Sequence, residues 1–245
     1  MVLIFIVLVG LSIASFIGSL SYRIPRNISI VTPPSFCISC KKRLKPYDLI
    51  PVLSYILLGG RCRYCRSKIP LKYFILELSV PLIYAALYLN IGSGHAFFIY
   101  CYLITVLVYL TLVDIDYGAI SFYDIIPVYP GGIVCLFFSF LGKLSYMARH
   151  YLYGAAAASV LLLISCLIVY IIKKRVPIGV GDLLVIPGVS LHFGMLEVIR
   201  IMIFSSIIGI LSGFALIYTG KVVRDFKFPM IPFLTAGVLI EILLF

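Results

Sequence analysis

The sequence predicts an all-α polytopic membrane protein, with about eight transmembrane helices and a small zinc-stapled cytoplasmic loop domain. Three observations predict it. The 245 residues are 63% hydrophobic and only 12% charged, with a mean hydropathy of +1.18. A soluble domain is nearer 45–50% apolar and about 25% charged, so a single soluble core is excluded. The polar residues gather in one segment, 23–71, which holds ten of the twenty Lys and Arg residues. The remaining ten basic residues alternate between loops as a membrane topology requires, so that of all twenty 17 fall on one side and 3 on the other. The side rich in Lys and Arg is the cytoplasmic one. The net charge of +11 is thereby a topological signal, and it implies a lipid bilayer as partner rather than nucleic acid.

Residues 1–22 carry no charged side chain and suffice for one crossing. A cleaved signal peptide is the competing reading. It is disfavoured because no basic residue precedes the apolar run, whereas Arg23 and Arg26 follow it. Those arginines place the N-terminus outside. Residues 23–71 form the second region, a cytoplasmic domain whose prolines at 25, 33, 34, 46, 51 and 70 argue against long helices. Residues 72–245 form the third, a helical bundle. Its helices are expected near 72–90, 97–116, 124–142, 152–172, 182–197, 198–219 and 229–245. Lys173, Lys174 and Arg175 then fall inside, as do Lys221, Arg224 and Lys227, while Lys143, Arg149 and Arg200 fall outside.

Two kinds of residue carry chemistry. From Leu78 to Val113 only His95 can carry a charge, and then Asp114 and Asp116 arrive together at the end of an apolar run. Asp182, in Gly179-Val180-Gly181-Asp182, stands where another apolar run begins. The topology puts all three at the cytoplasmic level. A carboxylate at such a depth costs about 2.5–3.5 kcal/mol to insert, which makes it a functional candidate. Helix capping is the plainer explanation of each. Two neighbouring carboxylates can share one proton, so that one acts as base on a water while the other polarises a carbonyl. The same acids also suit an ion or proton path through a transporter.

The second kind is cysteine. Cys37-x-x-Cys40 and Cys62-x-x-Cys65 are two CxxC pairs on a loop too short for a core of its own. Four thiolates so spaced suit one tetrahedral, structural Zn2+, and a metal staple is what a small domain needs. A reducing cytoplasm disfavours disulfides. Cys101, Cys135 and Cys166 stand singly on apolar helices and are expected to be packing residues.

Several of these stretches resemble the type IV prepilin peptidases. The resemblance is carried by Pro33-Pro34-Ser35-Phe36-Cys37 with Cys40, by Tyr47-Asp48-Leu49-Ile50-Pro51-Val52-Leu53-Ser54-Tyr55, by Gly60-Arg61-Cys62-Arg63-Tyr64-Cys65, and by Glu77. The membrane half adds Asp114-x-Asp116, the GxGD at 179–182, and Pro229-Met230-Ile231-Pro232-Phe233-Leu234. The resemblance implies a GxGD-type aspartic endopeptidase of the bacterial inner membrane, with its active site toward the cytoplasm. Such an enzyme cuts the basic leader from prepilins or pseudopilins, and many also methylate the new N-terminus with S-adenosylmethionine. The family's catalytic pair maps onto Asp114 and Asp182. Asp124 competes for the first role, because other GxGD proteases carry a Tyr-Asp there. The spacing from Asp114 to Pro127 is that of the prepilin branch and favours Asp114.

The sequence also departs from the family pattern. Ser121-Phe122 replaces a Pro-Asp, Leu184 replaces a lysine, Ala14-Ser15-Phe16-Ile17-Gly18 stands for Gly-Ser-Phe-Leu-Asn, and Ile231 replaces a glycine. These departures leave the acid pair intact and bear on methylation. A proton- or ion-coupled transporter and a non-catalytic assembly factor of a pilus or secretion machine are the alternative readings. The cysteine loop, and the lack of an evident inverted hydropathy repeat, favour the peptidase.

Overall fold

The computed structural model describes the backbone of residues 1–141, 145–173, 180–219 and 229–245. Within these, the side chains of 138–141, 145–150, 165, 166, 169, 172, 173, 180 and 182 lie outside the description. Gly179 and the basic clusters at 174–175 and 221–227 also lie outside the described residues, as do the side chains of Lys173 and Asp182. The described residues are helical and contain no strand; two isolated β-bridges occur in the cysteine loop.

Among the described residues ten α-helices follow one another: α1 (Val2–Arg23), α2 (Leu53–Leu57), α3 (Leu71–Ile91), α4 (His95–Tyr117), α5 (Phe122–Ile125), α6 (Val128–Leu141), α7 (Ser145–Lys173), α8 (Val180–Ser190), α9 (Met195–Tyr218) and α10 (Ile231–Leu244). Two 3-10 turns, Ile24–Arg26 and Pro46–Leu49, punctuate the loop. Among the described residues, α1, α3, α4 and α9 are long and apolar enough to cross a membrane. The most buried of the four is α4, 56% against 28%, 28% and 6% for the others. Its Leu103, Ile104, Leu107 and Leu110 are fully enclosed.

Two expected elements differ. The helix expected at 124–142 is divided into α5 and α6, because Pro127 offers no N–H with which to continue a ladder. The run expected at 182–197 is shorter, since α8 ends at Ser190 in a turn closed by bonds from Leu191 N–H to Pro187 C=O (3.2 Å) and from Phe193 N–H to Ser190 C=O (3.2 Å). With 11 residues, α8 is about 16 Å long, half the hydrocarbon thickness of a bilayer.

The chain forms two compact units, Met1–Cys101 and Tyr102–Phe245, divided within α4. In the first, α1 and α3 pack antiparallel through small residues. A Cβ on Gly10 would lie 2.7 Å from the Pro81 Cα, and one on Gly18 3.1 Å from the Tyr73 ring. Close backbone approach of this kind is how helices associate where lipid offers no hydrophobic drive. In the second unit α9 packs on α10, and a Cβ on Gly237 would lie 2.7 Å from the Ile201 carbonyl. α6 packs on α8, where Gly131 makes room for the buried ring of His192.

Candidate functional site

The cysteine loop is built twice on one plan. In the first half, Cys37 N–H donates to Lys42 C=O (2.9 Å), Lys41 N–H to Cys37 C=O (2.9 Å) and Leu44 N–H to Ser35 C=O (2.8 Å). In the second, Cys62 N–H donates to Ser67 C=O (2.9 Å), Arg66 N–H to Cys62 C=O (3.0 Å) and Ile69 N–H to Gly60 C=O (2.8 Å). The offsets from the leading cysteine are the same in both. The residues after the second cysteines, Lys41 (φ 59°) and Arg66 (φ 56°), both take the left-handed conformation that closes each turn. Asp48, whose side chain is 2% exposed, ties the halves together by an ion pair to Arg63 Nε at 2.7 Å. That carboxylate pushes the Arg63 guanidinium further up.

All four thiols are thereby brought together: their sulfurs lie within 4.8 Å of one another, with Cys37 Sγ and Cys65 Sγ 3.8 Å apart. Four sulfurs about 2.3 Å from a common zinc stand about 3.8 Å apart, so this donor set fits the metal. The thiols do not titrate alike. Burial pushes Cys37 up, but the amides of Cys40 and Ser39 and the sulfurs of Cys62 and Cys40 hold it down at about 6. The Lys42 amide favours the Cys40 thiolate, yet burial and the Cys65 and Cys37 sulfurs push that thiol up to about 11. Crowded sulfurs cannot all ionise unless a cation joins them.

In the second unit the sequence-predicted acids divide by burial. Asp114, in the last turn of α4, is 7% exposed. It sits where the N-terminus of α10 points at it, and its Oδ2 accepts the Ile231 N–H at 3.1 Å. Amides at a helix start favour an anion there. The two helices are also joined by the Thr111 and Thr235 hydroxyls, 2.9 Å apart. Gly118, at φ 63°, turns the chain after α4, and its N–H bonds to the Asp114 carbonyl at 2.8 Å. Asp116, two positions on, faces outward and is exposed. Asp124 is 5% exposed. Its Oδ2 accepts the Ser121 N–H at 3.1 Å in a capping box, and its Oδ1 accepts the hydroxyl of buried Tyr109.

The start of α8 packs on the turn that follows Asp114: a Cβ on Gly181 would lie 3.4 Å from the Ile120 Cβ. The backbone of Asp182 belongs to the first turn of α8, while its side chain lies outside the described residues. Sequence reasoning missed the partners of these acids. Tyr109 is one more aromatic residue in an apolar run, and the Ile231 amide is a backbone group with no sequence signature of its own. Only the Pro-Met-Ile-Pro stretch around it marked the place.

Residues 8–91 match the family model of the bacterial peptidase A24 N-terminal domain. The prepilin leader peptidase/N-methyltransferase of Bacillus subtilis (strain 168) is 29% identical over 233 residues, covering 93% of this chain and 88% of that protein. The protein of the same name from Vibrio cholerae is 30% identical over 216 residues, covering 84% of this chain and 83% of its own. That of Myxococcus xanthus is 27% identical over 219 residues, 89% of this chain and 64% of the relative. No solved structure matches.

Proposed function

This chain belongs to the prepilin leader peptidase/N-methyltransferase family, and from that premise we propose that it is a membrane aspartic endopeptidase of the bacterial inner membrane. Its substrates are type IV prepilins or pseudopilins, whose basic leader it removes at the cytoplasmic face. The polypeptide crosses the bilayer about eight times with its N-terminus outside, as 1–22 (first helix), 23–71 (cytoplasmic loop domain) and 72–245 (the bundle bearing the protease site).

Asp114 and Asp182 form the catalytic pair. One carboxylate takes a proton from the attacking water; the other, carrying the shared proton, donates to the scissile carbonyl oxygen as it becomes tetrahedral. The observation that carries this reading is the placement of Asp114. It is buried at the end of the apolar helix α4 and held by the Ile231 amide, with the GxGD helix packed on the adjoining turn. An acid so enclosed and so oriented is suited to proton transfer. Cys37, Cys40, Cys62 and Cys65 hold one structural Zn2+, which staples the loop and leaves no open position for chemistry. Methylation of the mature N-terminus, the second half of the family name, draws its methyl group from S-adenosylmethionine.

Co-expression with a prepilin and intact-mass measurement of the product tests both halves. Loss of the leader mass supports the peptidase, and a further gain of about 14 Da, the net CH₂ added when a methyl group replaces a hydrogen, supports methylation. An uncut prepilin beside a folded, membrane-inserted protein overturns the reading.

A further inference from the structure

Arg23, the last residue of α1, is 4% exposed. It is ion-paired to no carboxylate among the described residues. Its Nη1 donates to the Ser29 carbonyl (2.7 Å) and its Nη2 to the Pro33 carbonyl (2.8 Å). A guanidinium has five N–H donors; two are engaged in this way, and the group also lies over the Phe36 ring, 5.6 Å from its centroid. An anion that reached the remaining donors would gain charge-assisted hydrogen bonds in a partly enclosed site.

Two recesses of the first unit meet at this side chain. One of about 190 Å³ is lined by Arg23, Glu77, Tyr22, Phe36 and Tyr73. A wider one of about 910 Å³ is lined by Arg23, Arg43, Lys45 and Tyr64. Both also share Ser15 and Ser19, one turn apart on α1. Glu77 is fixed in the narrow recess by one oxygen only: its Oε2 accepts the Val52 N–H at 2.6 Å, which leaves Oε1 available. The narrow recess thus offers a fixed cation, a fixed anion, serine hydroxyls and aromatic faces.

We propose that this recess binds the methyl donor, taking the α-carboxylate of its amino-acid end on Arg23 and the α-ammonium on Glu77, while the nucleoside end extends along the Ser15–Ser19 face into the wider recess. The inference rests on the methyltransferase half of the proposed function and adds the site for it. An anionic lipid headgroup is a poorer match, because Glu77 repels a phosphate that Arg23 attracts. A zwitterion is the one small-molecule class that answers both charges. The wider recess, about 910 Å³, falls within the roughly 300–1,000 Å³ of ordinary ligand pockets, and every residue named lies within 8–91, the segment that matches the peptidase A24 N-terminal model.

The test is calorimetric binding to the purified, zinc-replete full chain in detergent. The probes are S-adenosylhomocysteine, which carries the amino-acid end, and 5′-methylthioadenosine, which lacks it. S-adenosylhomocysteine should bind at least tenfold more tightly. Glu77→Gln, whose amide oxygen can still accept from Val52, and Ser19→Leu, which fills the recess without touching a charge, should each weaken that binding at least tenfold. Zinc content and melting temperature, measured in parallel, report whether each variant is folded; if Glu77→Gln is not, Ser19→Leu decides. Equal binding of the two probes overturns the assignment, as does unchanged binding in the folded variants, which would leave the methyltransferase reading standing with its site elsewhere. Absence of binding by a preparation that still removes leaders overturns it together with the methylation half, and spares the peptidase.

Discussion

Both oxygens of Asp124 are committed to structure, one to the Ser121 amide that caps α5 and one to the Tyr109 hydroxyl. Asp114 instead meets backbone amides at the start of another helix, which orient a carboxylate without burying it in side-chain bonds. The two acids therefore part in their expected behaviour. Asp114→Asn and Asp182→Asn should each abolish leader cleavage, read by intact mass, with protein levels kept. Asp116→Asn and Asp124→Asn should keep measurable cleavage. Asp124→Asn should in addition lower stability by about 1–3 kcal/mol, the cost of disturbing a buried, charge-assisted hydrogen bond. Combining it with Tyr109→Phe should cost less than the two changes summed, because they remove one shared bond. An Asp124→Asn protein that is dead yet melts like the parent would reverse the roles of the two acids. Asp114 was legible in the sequence because, from Leu78 to Val113, only His95 before it can carry a charge. Its orienting partner was not, since Ile231 lies 117 positions away and contributes only backbone.

At the level of elements, the two cysteine turns were legible because two CxxC pairs form a fixed spacing that composition cannot mimic. Their common hydrogen-bond register was not, because Lys41 and Arg66 occupy positions where glycine would have advertised a left-handed turn. Arg66 is exposed, so its backbone can be tested alone. Arg66→Gly should stabilise the loop by up to about 1 kcal/mol, and Arg66→Val should destabilise it by about 1–2 kcal/mol, since a β-branched residue resists that conformation. Thermal release of zinc to a chromogenic chelator would measure both. Cys62→Ser should leave the purified protein without near-stoichiometric zinc, and metal analysis that finds none in the parent would remove the stapled-loop reading. Acidification should release the metal as well: ligation requires thiolates, so affinity falls as pH falls. The end of α8 escaped notice for a different reason. Leu191 and Phe193 keep the turn apolar, so hydropathy runs through it unbroken, and only Gly194 marks the start of the next helix.

On the scale of the whole molecule, the proposed orientation rests on charge asymmetry, whereas the helices themselves rest on hydropathy. The four long spans were legible as long, predominantly apolar runs. The shorter helices were less so, because in a packed bundle a neighbour can cover polar backbone that lipid would not. Single-cysteine labelling from outside the cell, with Cys101, Cys135 and Cys166 replaced by serine, should reach Ser145→Cys but not Ser67→Cys. The opposite pattern would put the acids at the far face and end the peptidase reading. The doubled loop also sets a clock on biogenesis. Cys62 is made 22 positions after Cys40, and synthesis at about 5–20 residues per second separates the halves by roughly 1–4 s. For that interval the nascent chain, already holding α1, presents a lone dithiol. It is then open to oxidation and to capture by whichever soft ion arrives first, and it is made safe only when its second half follows.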